Sequence, residues 1–181
     1  IKPDLSIHCS TSEILNYLNK EGVSPFNSEQ EVRTKWLNSI NKWRKSFKLS
    51  NNKNELTSNY IISTLSNILK DKEDYILTTG VGSHQMVTAQ YFNHRLPNKL
   101  LTSGSLGTMG VGLPFAIGAQ VARPTSTVIL IDGDGSFTMS MNEIASIIEY
   151  KLPIKIFIMN DKKLQMVDYW QELLYDNNKT G

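Results

Sequence analysis

The sequence predicts an α/β fold, a doubly wound parallel sheet with a helical N-terminal extension. Three features carry that expectation. Thr127–Ile131 is a short β-branched apolar run, the stretch after it repeats apolar residues at helical spacing, and Ile154–Met159 is a second apolar run. A strand–helix–strand order of this kind is a crossover, which leaves two parallel strands with their carboxyl ends at one edge of a sheet.

Taken in chain order, Ser10-Thr11-Ser12-Glu13 is a capping box that opens a short helix to about Lys20, with Gly22 as its stop. Val32, Trp36, Ile40 and Trp43 recur at helical spacing, so a longer amphipathic helix runs to about Phe47. Its apolar stripe is a packing face, and Lys42, Arg44, Lys45 and Lys48 are a solvated one. Leu49–Ser58, rich in Asn, Lys and Ser, is a linker or domain boundary. Ile61, Ile62, Leu65, Ile68 and Leu69 stripe the next helix, and Tyr75–Thr78 is the first strand. Helices and strands then alternate to Tyr175, the pattern of a sheet covered on both faces.

Chemistry enters at the strand ends. Ile131-Asp132-Gly133-Asp134-Gly135-Ser136 follows one apolar run, and Met159-Asn160-Asp161 closes the other. Gly133 and Gly135 let the chain turn sharply and bring backbone N–H groups close to an anion. From Ser140 to Tyr150, Met141, Ile144, Ala145, Ile147 and Ile148 recur at helical spacing opposite Asn142, Glu143 and Glu149, a helix ended by Pro153. Hard oxygen donors at neighbouring strand ends suit Mg²⁺, which takes few protein ligands and shares a phosphate. On these residues alone, a plain turn with a solvated Asp134 stays open.

Asp132-Gly133-Asp134-Gly135-Ser136, followed by Asn160-Asp161, resembles the thiamin diphosphate signature. Thr78-Thr79-Gly80-Val81-Gly82-Ser83-His84-Gln85-Met86, Thr102-Ser103-Gly104-Ser105-Leu106-Gly107-Thr108-Met109-Gly110 and Gly112-Leu113-Pro114 narrow the match. With Met166-Val167, Trp170-Gln171-Glu172-Leu173 and Tyr175, they resemble the catalytic subunit of the acetolactate synthase (acetohydroxyacid synthase) family over about residues 75–176. The resemblance implies three α/β domains per subunit. Residues 1–10 would end the middle domain, 11–58 would connect, and 59–181 would be the diphosphate-binding domain, C-terminally truncated. The activating Glu of such enzymes belongs to the first domain, so the resemblance implies a fragment inactive alone.

By the same resemblance, Asp134 and Asp161 would ligate Mg²⁺ with the backbone carbonyl of Lys163, and Gly135 and Ser136 would donate to the diphosphate, helped by the positive end of the following helix. Gly82, Ser83 and His84 would reach the same group. Gly107 and Met109 would carry the pyrimidine ring, with Met109 as the catalytic wedge that bends the cofactor. Met166 and Trp170 would line the cofactor and the substrate entrance. Taken singly, Met109 is also a packing residue, and His84 also a capping or core residue. Trp170 divides between entrance and helix anchor, because Met166, Val167, Trp170 and Leu174 also make a plain apolar stripe. The implied activity decarboxylates pyruvate and joins the two-carbon unit to pyruvate or 2-oxobutyrate, in branched-chain amino acid synthesis. Implied too are FAD, held mostly by the middle domain, a homodimer or homotetramer, and a regulatory subunit. The compartment is open: mitochondrion or plastid in a eukaryote, cytoplasm in a bacterium. Another thiamin diphosphate-dependent decarboxylase or carboligase and a non-catalytic homologue are the alternatives.

Three residues depart from the family pattern. Asp161 stands for its second Asn, Ser83 for a Gln, and Gln165 for a Gly. Asp161 remains a competent Mg²⁺ ligand but adds negative charge beside an anionic cofactor, which Lys162 and Lys163 would offset. Weaker cofactor affinity is expected from all three. Asp161→Asn and Gln165→Gly in the intact enzyme should therefore tighten it, and an unchanged cofactor requirement would count against the idea.

Composition excludes little else. The 181 residues are 40% hydrophobic and 20% charged, enough for a core, and the net charge of +2 gives no argument for nucleic acid or an anionic membrane. No apolar run approaches the ~20 residues of a membrane span. The single Cys9 rules out an internal disulfide, and His8 and His94 are structural.

Overall fold

Apolar residues at successive strand positions can all be buried only if helices cover both faces of the sheet. That condition organises the chain in the computed structural model, which describes residues 2–22, 30–47, 49 and 55–180. The chain forms two units, residues 1–49 and 50–181. Half of the linker expected over 49–58 (residues 50–54), and Lys48 of the basic cluster, lie outside the described residues.

In the first unit, α1 (Thr11–Lys20) opens on the expected capping box. Glu13 N donates to Ser10 Oγ (3.2 Å) and Ser10 N donates to Glu13 Oε2 (2.8 Å), so two otherwise orphaned N–H groups are satisfied reciprocally. The Ser10 bonds hold the Glu13 carboxyl below its ordinary pKa. Helix α2 (Gln30–Ser46) sets Trp36 edge to face against Trp43, with ring centroids 5.4 Å apart.

The second unit is a four-stranded parallel sheet. Its elements are α3 (Ser58–Ile68), β1 (Tyr75–Thr79), α4 (Ser83–Tyr91), β2 (Leu100–Leu101), α5 (Gly112–Ala122), β3 (Thr127–Gly133), α6 (Asp134–Thr138), α7 (Ile144–Glu149), β4 (Lys155–Met159) and α8 (Gln165–Leu174). Strand order is β2-β1-β3-β4. Register pairs Thr79 with Ile131 and Gly133 with Met159. Along β3 the side chains alternate between two cores. Ile129 and Ile131 join Ile62, Leu65, Tyr75 and Phe92 on one face, while Val128 and Leu130 join Leu113, Ala116 and Phe137 on the other. The chain leaves β1 towards β2 and, after α5, returns to β3 on the opposite side. The crevice beyond the carboxyl ends of β1 and β3 is therefore the switch point, where such sheets bind ligands.

Two expectations need correction. The helix expected from Ser140 to Tyr150 forms over 141–149, but its first turn is 3₁₀ and a separate short helix precedes it. The chain turns helical already at Asp134, for a single short helix, then passes through a 3₁₀ turn at Met141–Glu143 before α7. Phe137 of the short helix is buried in the second core, and Ser140, at φ −134° and ψ 11°, separates that helix from the periodic run. Helix α6 is too short to supply much of the positive end expected behind Asp134, so individual N–H groups must serve there. β3 also runs two residues beyond Ile131, so Asp132 is a strand residue with its side chain fully buried. No helix among the described residues is long and apolar enough to cross a membrane.

Candidate functional site

Three strand ends and one loop converge at the switch point. The segment after β1 brings Gly82, Ser83 and His84, and the segment at the end of β3 brings Gly133, Asp134, Gly135 and Ser136. The segment after β4 brings Asp161, Lys163, Leu164, Gln165 and Met166, and the loop before α5 brings Gly107 and Met109. All of them line one cleft of about 190 Å³. Every candidate residue from the sequence except Trp170 thus meets at a single place.

The floor is polar and buried. Asp132 has no exposed surface, and His84 is 4% exposed. Asp132 Oδ1 accepts from Gly133 N at 3.0 Å and lies 3.2 Å from His84 Nε2. The His84 approach lacks hydrogen-bond alignment, since Nε2 has no partner of that geometry and neither does Asp132 Oδ2. Room for the pair comes from glycines. A Cβ on Gly80 would stand 1.9 Å from Asp132 Oδ1 and 2.3 Å from Ser136 Oγ, and one on Gly133 would stand 2.7 Å from His84 Nδ1. The His84 ring consequently supports the Gly133–Asp134 turn from below. Asp132 escaped the sequence reading because an acid inside an Asp-Gly-Asp-Gly turn gives no sign of which carboxylate faces inward; strand alternation carried past Ile131 would have shown it.

Ser136 is also buried, and its Oγ accepts from Gly110 N at 3.0 Å. That bond ties α6 to the loop carrying Gly107 and Met109. Gly107 and Gly110 have positive φ (62° and 80°), a backbone that favours glycine and brings the loop over the cleft. A Cβ on Gly135 would lie 2.8 Å from Leu164 Cδ2 and 3.8 Å from Met109 Cε, so the cleft narrows there between Met109 and Leu164.

Asp134 and Asp161 enter from adjacent parallel strands. Among the described residues no group of three His, Cys, Asp or Glu could hold a metal ion. A cation in this cleft would therefore take two carboxylates and complete its shell with backbone, water or ligand oxygens, which suits Mg²⁺. Two carboxylates, a glycine cradle and an apolar wall form a donor set that fits a metal-bound diphosphate carrying an aromatic group. Lys163 does not neutralise Asp161 with its ammonium. Its Nζ lies 3.3 Å from Asp168 Oδ2, while its backbone N–H donates to Asp161 Oδ1 at 3.2 Å. The offset expected from the Lys163 side chain is thus directed to α8.

Asp168 is held below the usual aspartate pKa, first by its hydrogen bond from Lys179 and then by Lys163. Its pKa is lower folded than unfolded, so this contribution is full above the unfolded value and fades as pH falls through the folded one. A carboxyl NMR titration should place the Asp168 midpoint below that of an ordinary aspartate, and Lys179→Ala should raise it. An unmoved midpoint would remove the clasp.

Trp170 stands apart. It is 54% exposed and faces a separate groove with Gln171, Tyr175 and Asn178; Val167 lines both this groove and the cleft. Of the apolar stripe, Val167 and Leu174 are exposed along with it.

Comparison with known proteins decides the family. Residues 80–181 match the thiamine pyrophosphate enzyme family, C-terminal TPP-binding domain. The chain belongs to that family. The match begins at Gly80, the residue just after β1 that makes room for Asp132. The chain is similar to the mitochondrial acetolactate synthase catalytic subunit of Saccharomyces cerevisiae, 43% identical over 150 residues, 80% of this chain and 22% of the relative. It is 42% identical to the chloroplastic acetolactate synthase of Arabidopsis thaliana over 146 residues, with the same coverage of 80% and 22%. The acetolactate synthase large subunit of Buchnera aphidicola is 36% identical over 179 residues, 97% of this chain and 30% of the relative. The chain thus spans between 22% and 30% of the length of these relatives.

Proposed function

We propose that this chain is the diphosphate- and Mg²⁺-binding part of an acetolactate synthase catalytic subunit. The observation that carries the reading is the single cleft in which Gly82, Gly107, Met109, Asp134, Gly135, Ser136, Asp161 and Met166 meet, in a chain whose relatives bear that name. Asp134 and Asp161 hold Mg²⁺, with the backbone carbonyl of Lys163 as a third ligand. Gly135 and Ser136 give hydrogen bonds to phosphate oxygens, and Gly82 permits the close approach of the α4 N-terminus. Met109, on its Gly107–Gly110 loop, would pack against the cofactor and hold it in a bent shape. His84 acts from beneath, holding the Gly133–Asp134 turn. Thiamin diphosphate, once bound, supplies the carbanion-stabilising chemistry that decarboxylation and carbon–carbon bond formation need. The remainder of the longer polypeptide supplies the activating Glu and most of an FAD site. The subunit works as a homodimer or homotetramer, with a regulatory subunit as its partner in the assembly, on pyruvate and 2-oxobutyrate.

The test is acetolactate formation from pyruvate by the full-length polypeptide with thiamin diphosphate, Mg²⁺ and FAD. Activity that vanishes when thiamin diphosphate is withheld supports the reading. A folded oligomer that neither binds the cofactor nor forms acetolactate overturns it. Within that protein Asp161→Asn removes one negative charge beside the diphosphate and should tighten cofactor binding about threefold to tenfold; weaker binding would mean that the charge is needed on the metal.

A further inference from the structure

Ser83 and Gln165, two of the three residues that depart from the family pattern, touch each other. Ser83 Oγ donates to Gln165 Oε1 at 2.6 Å across 82 residues of sequence. Both are half-buried on the cleft wall, and each is the first residue of its helix, Ser83 of α4 and Gln165 of α8. Neither helix has a side-chain cap from the residue before it, Gly82 or Leu164. The clasp therefore spans two helix N-termini, where backbone donors favour an anion.

We infer that Gln165 supplies, from the β4 side of the cleft, the amide donor to the diphosphate that Ser83 is too short to supply from the β1 side. The chemistry follows from the bond. With its oxygen occupied by the Ser83 hydroxyl, the Gln165 amide is fixed in rotation, and its two N–H donors turn away from Ser83. Asp134 and Asp161 bring two negative charges to the same cleft before any phosphate arrives. A neutral donor that is already oriented adds a hydrogen bond to phosphate oxygen with little ordering cost. Ser83 acts through Gln165, as a positioning residue. This rests on the cleft being a metal–diphosphate site, and it reverses the sign that the sequence suggests for Gln165→Gly: affinity should fall.

The experiment is calorimetric titration of the full-length protein with thiamin diphosphate at fixed Mg²⁺, for the unmodified protein, Ser83→Ala, Gln165→Ala, Ser83→Ala/Gln165→Ala, and the exchange Ser83→Gln/Gln165→Gly. Gln165→Ala should weaken binding about tenfold, the scale of one hydrogen bond to a charged group. Ser83→Ala should cost about threefold alone and nothing further in the Gln165→Ala background. The exchange should return affinity to within about threefold of the unmodified protein, because the amide is moved rather than lost. Unchanged affinity in Gln165→Ala overturns the inference and leaves the metal–diphosphate reading intact. A loss that the exchange does not rescue also overturns it, since Gln165 then serves only to place α8. No binding by the unmodified protein overturns both.

Discussion

Asp134→Ala should abolish the Mg²⁺-dependent binding of thiamin diphosphate, lowering affinity by more than about 100-fold, while leaving the unliganded fold intact. The magnitude follows from how few donors the cleft has. Asp134 and Asp161 are its two carboxylates, and no alternative cluster of metal-ligating side chains exists among the described residues. Losing one leaves a divalent cation with a single side-chain ligand beside a multiply charged diphosphate. The outright loss of a metal ligand in a partly desolvated site, which an Asn oxygen would avoid and an Ala does not, is worth on the order of 3 kcal/mol, or about 100-fold. Asp134→Glu, which lengthens the side chain by one methylene, should rescue poorly, because Mg²⁺ demands short bonds and near-octahedral angles. Calorimetry at several Mg²⁺ concentrations checks this, with a thermal melt of the free protein as control. Undiminished, Mg²⁺-dependent binding by Asp134→Ala would move the metal away from the β3 strand end.

Gly80→Ala should cost far more stability than a surface methyl group normally does. The backbone at Gly80 does not need glycine for its φ angle; the space does. Its Cβ would stand 1.9 Å from Asp132 Oδ1 and 2.3 Å from Ser136 Oγ, while Asp132 is fully buried and Ser136 nearly so. Asp132 cannot swing aside, because its carboxylate takes the Gly133 N–H and stands against His84. On its other side a Cβ at Gly112 would come within 2.9 Å of Asp132 Oδ2. Overpacking of this kind, added to a disturbed buried polar pair, costs on the order of 3 kcal/mol. For a chain of this length the melting temperature should fall roughly 6–12 °C. Gly118→Ala is the contrast, since nothing lies within 4 Å of its added carbon. If the two variants melt alike, the floor is softer than this geometry requires.

The fold was legible wherever the sequence repeats a period. Buried strands announce themselves as β-branched apolar runs, and oxygen donors just past them sit at one sheet edge by topology alone, which is why Asp134 and Asp161 could be paired without coordinates. Periodicity is silent on a single burial event outside it. Phe137 is buried in the second core before the periodic stretch begins, so a short helix at Asp134–Thr138 precedes the expected one. Periodicity does not decide Trp170, because a stripe says which side of a helix is apolar and nothing about what faces it. The Ser83–Gln165 bond was beyond reach for another reason. Each residue, taken singly, only subtracts from a pattern, and their meeting depends on two helix starts brought together by the sheet.

The register of β3 against β4 has a consequence for which lengths of this chain can vary. Gly133 faces Met159, so Asp134 stands one residue past that pair and Asp161 two past it. Inserting a residue between Thr127 and Asp134, or between Lys155 and Asp161, would slide one carboxylate by about 3.3 Å or turn it to the opposite face. Residues added at the Met139–Ser140 turn of the crossover change neither count. Natural variants and engineered chains should therefore accept length changes in the crossover and reject them along the strands, so that the sheet serves this cleft as a ruler as well as a scaffold.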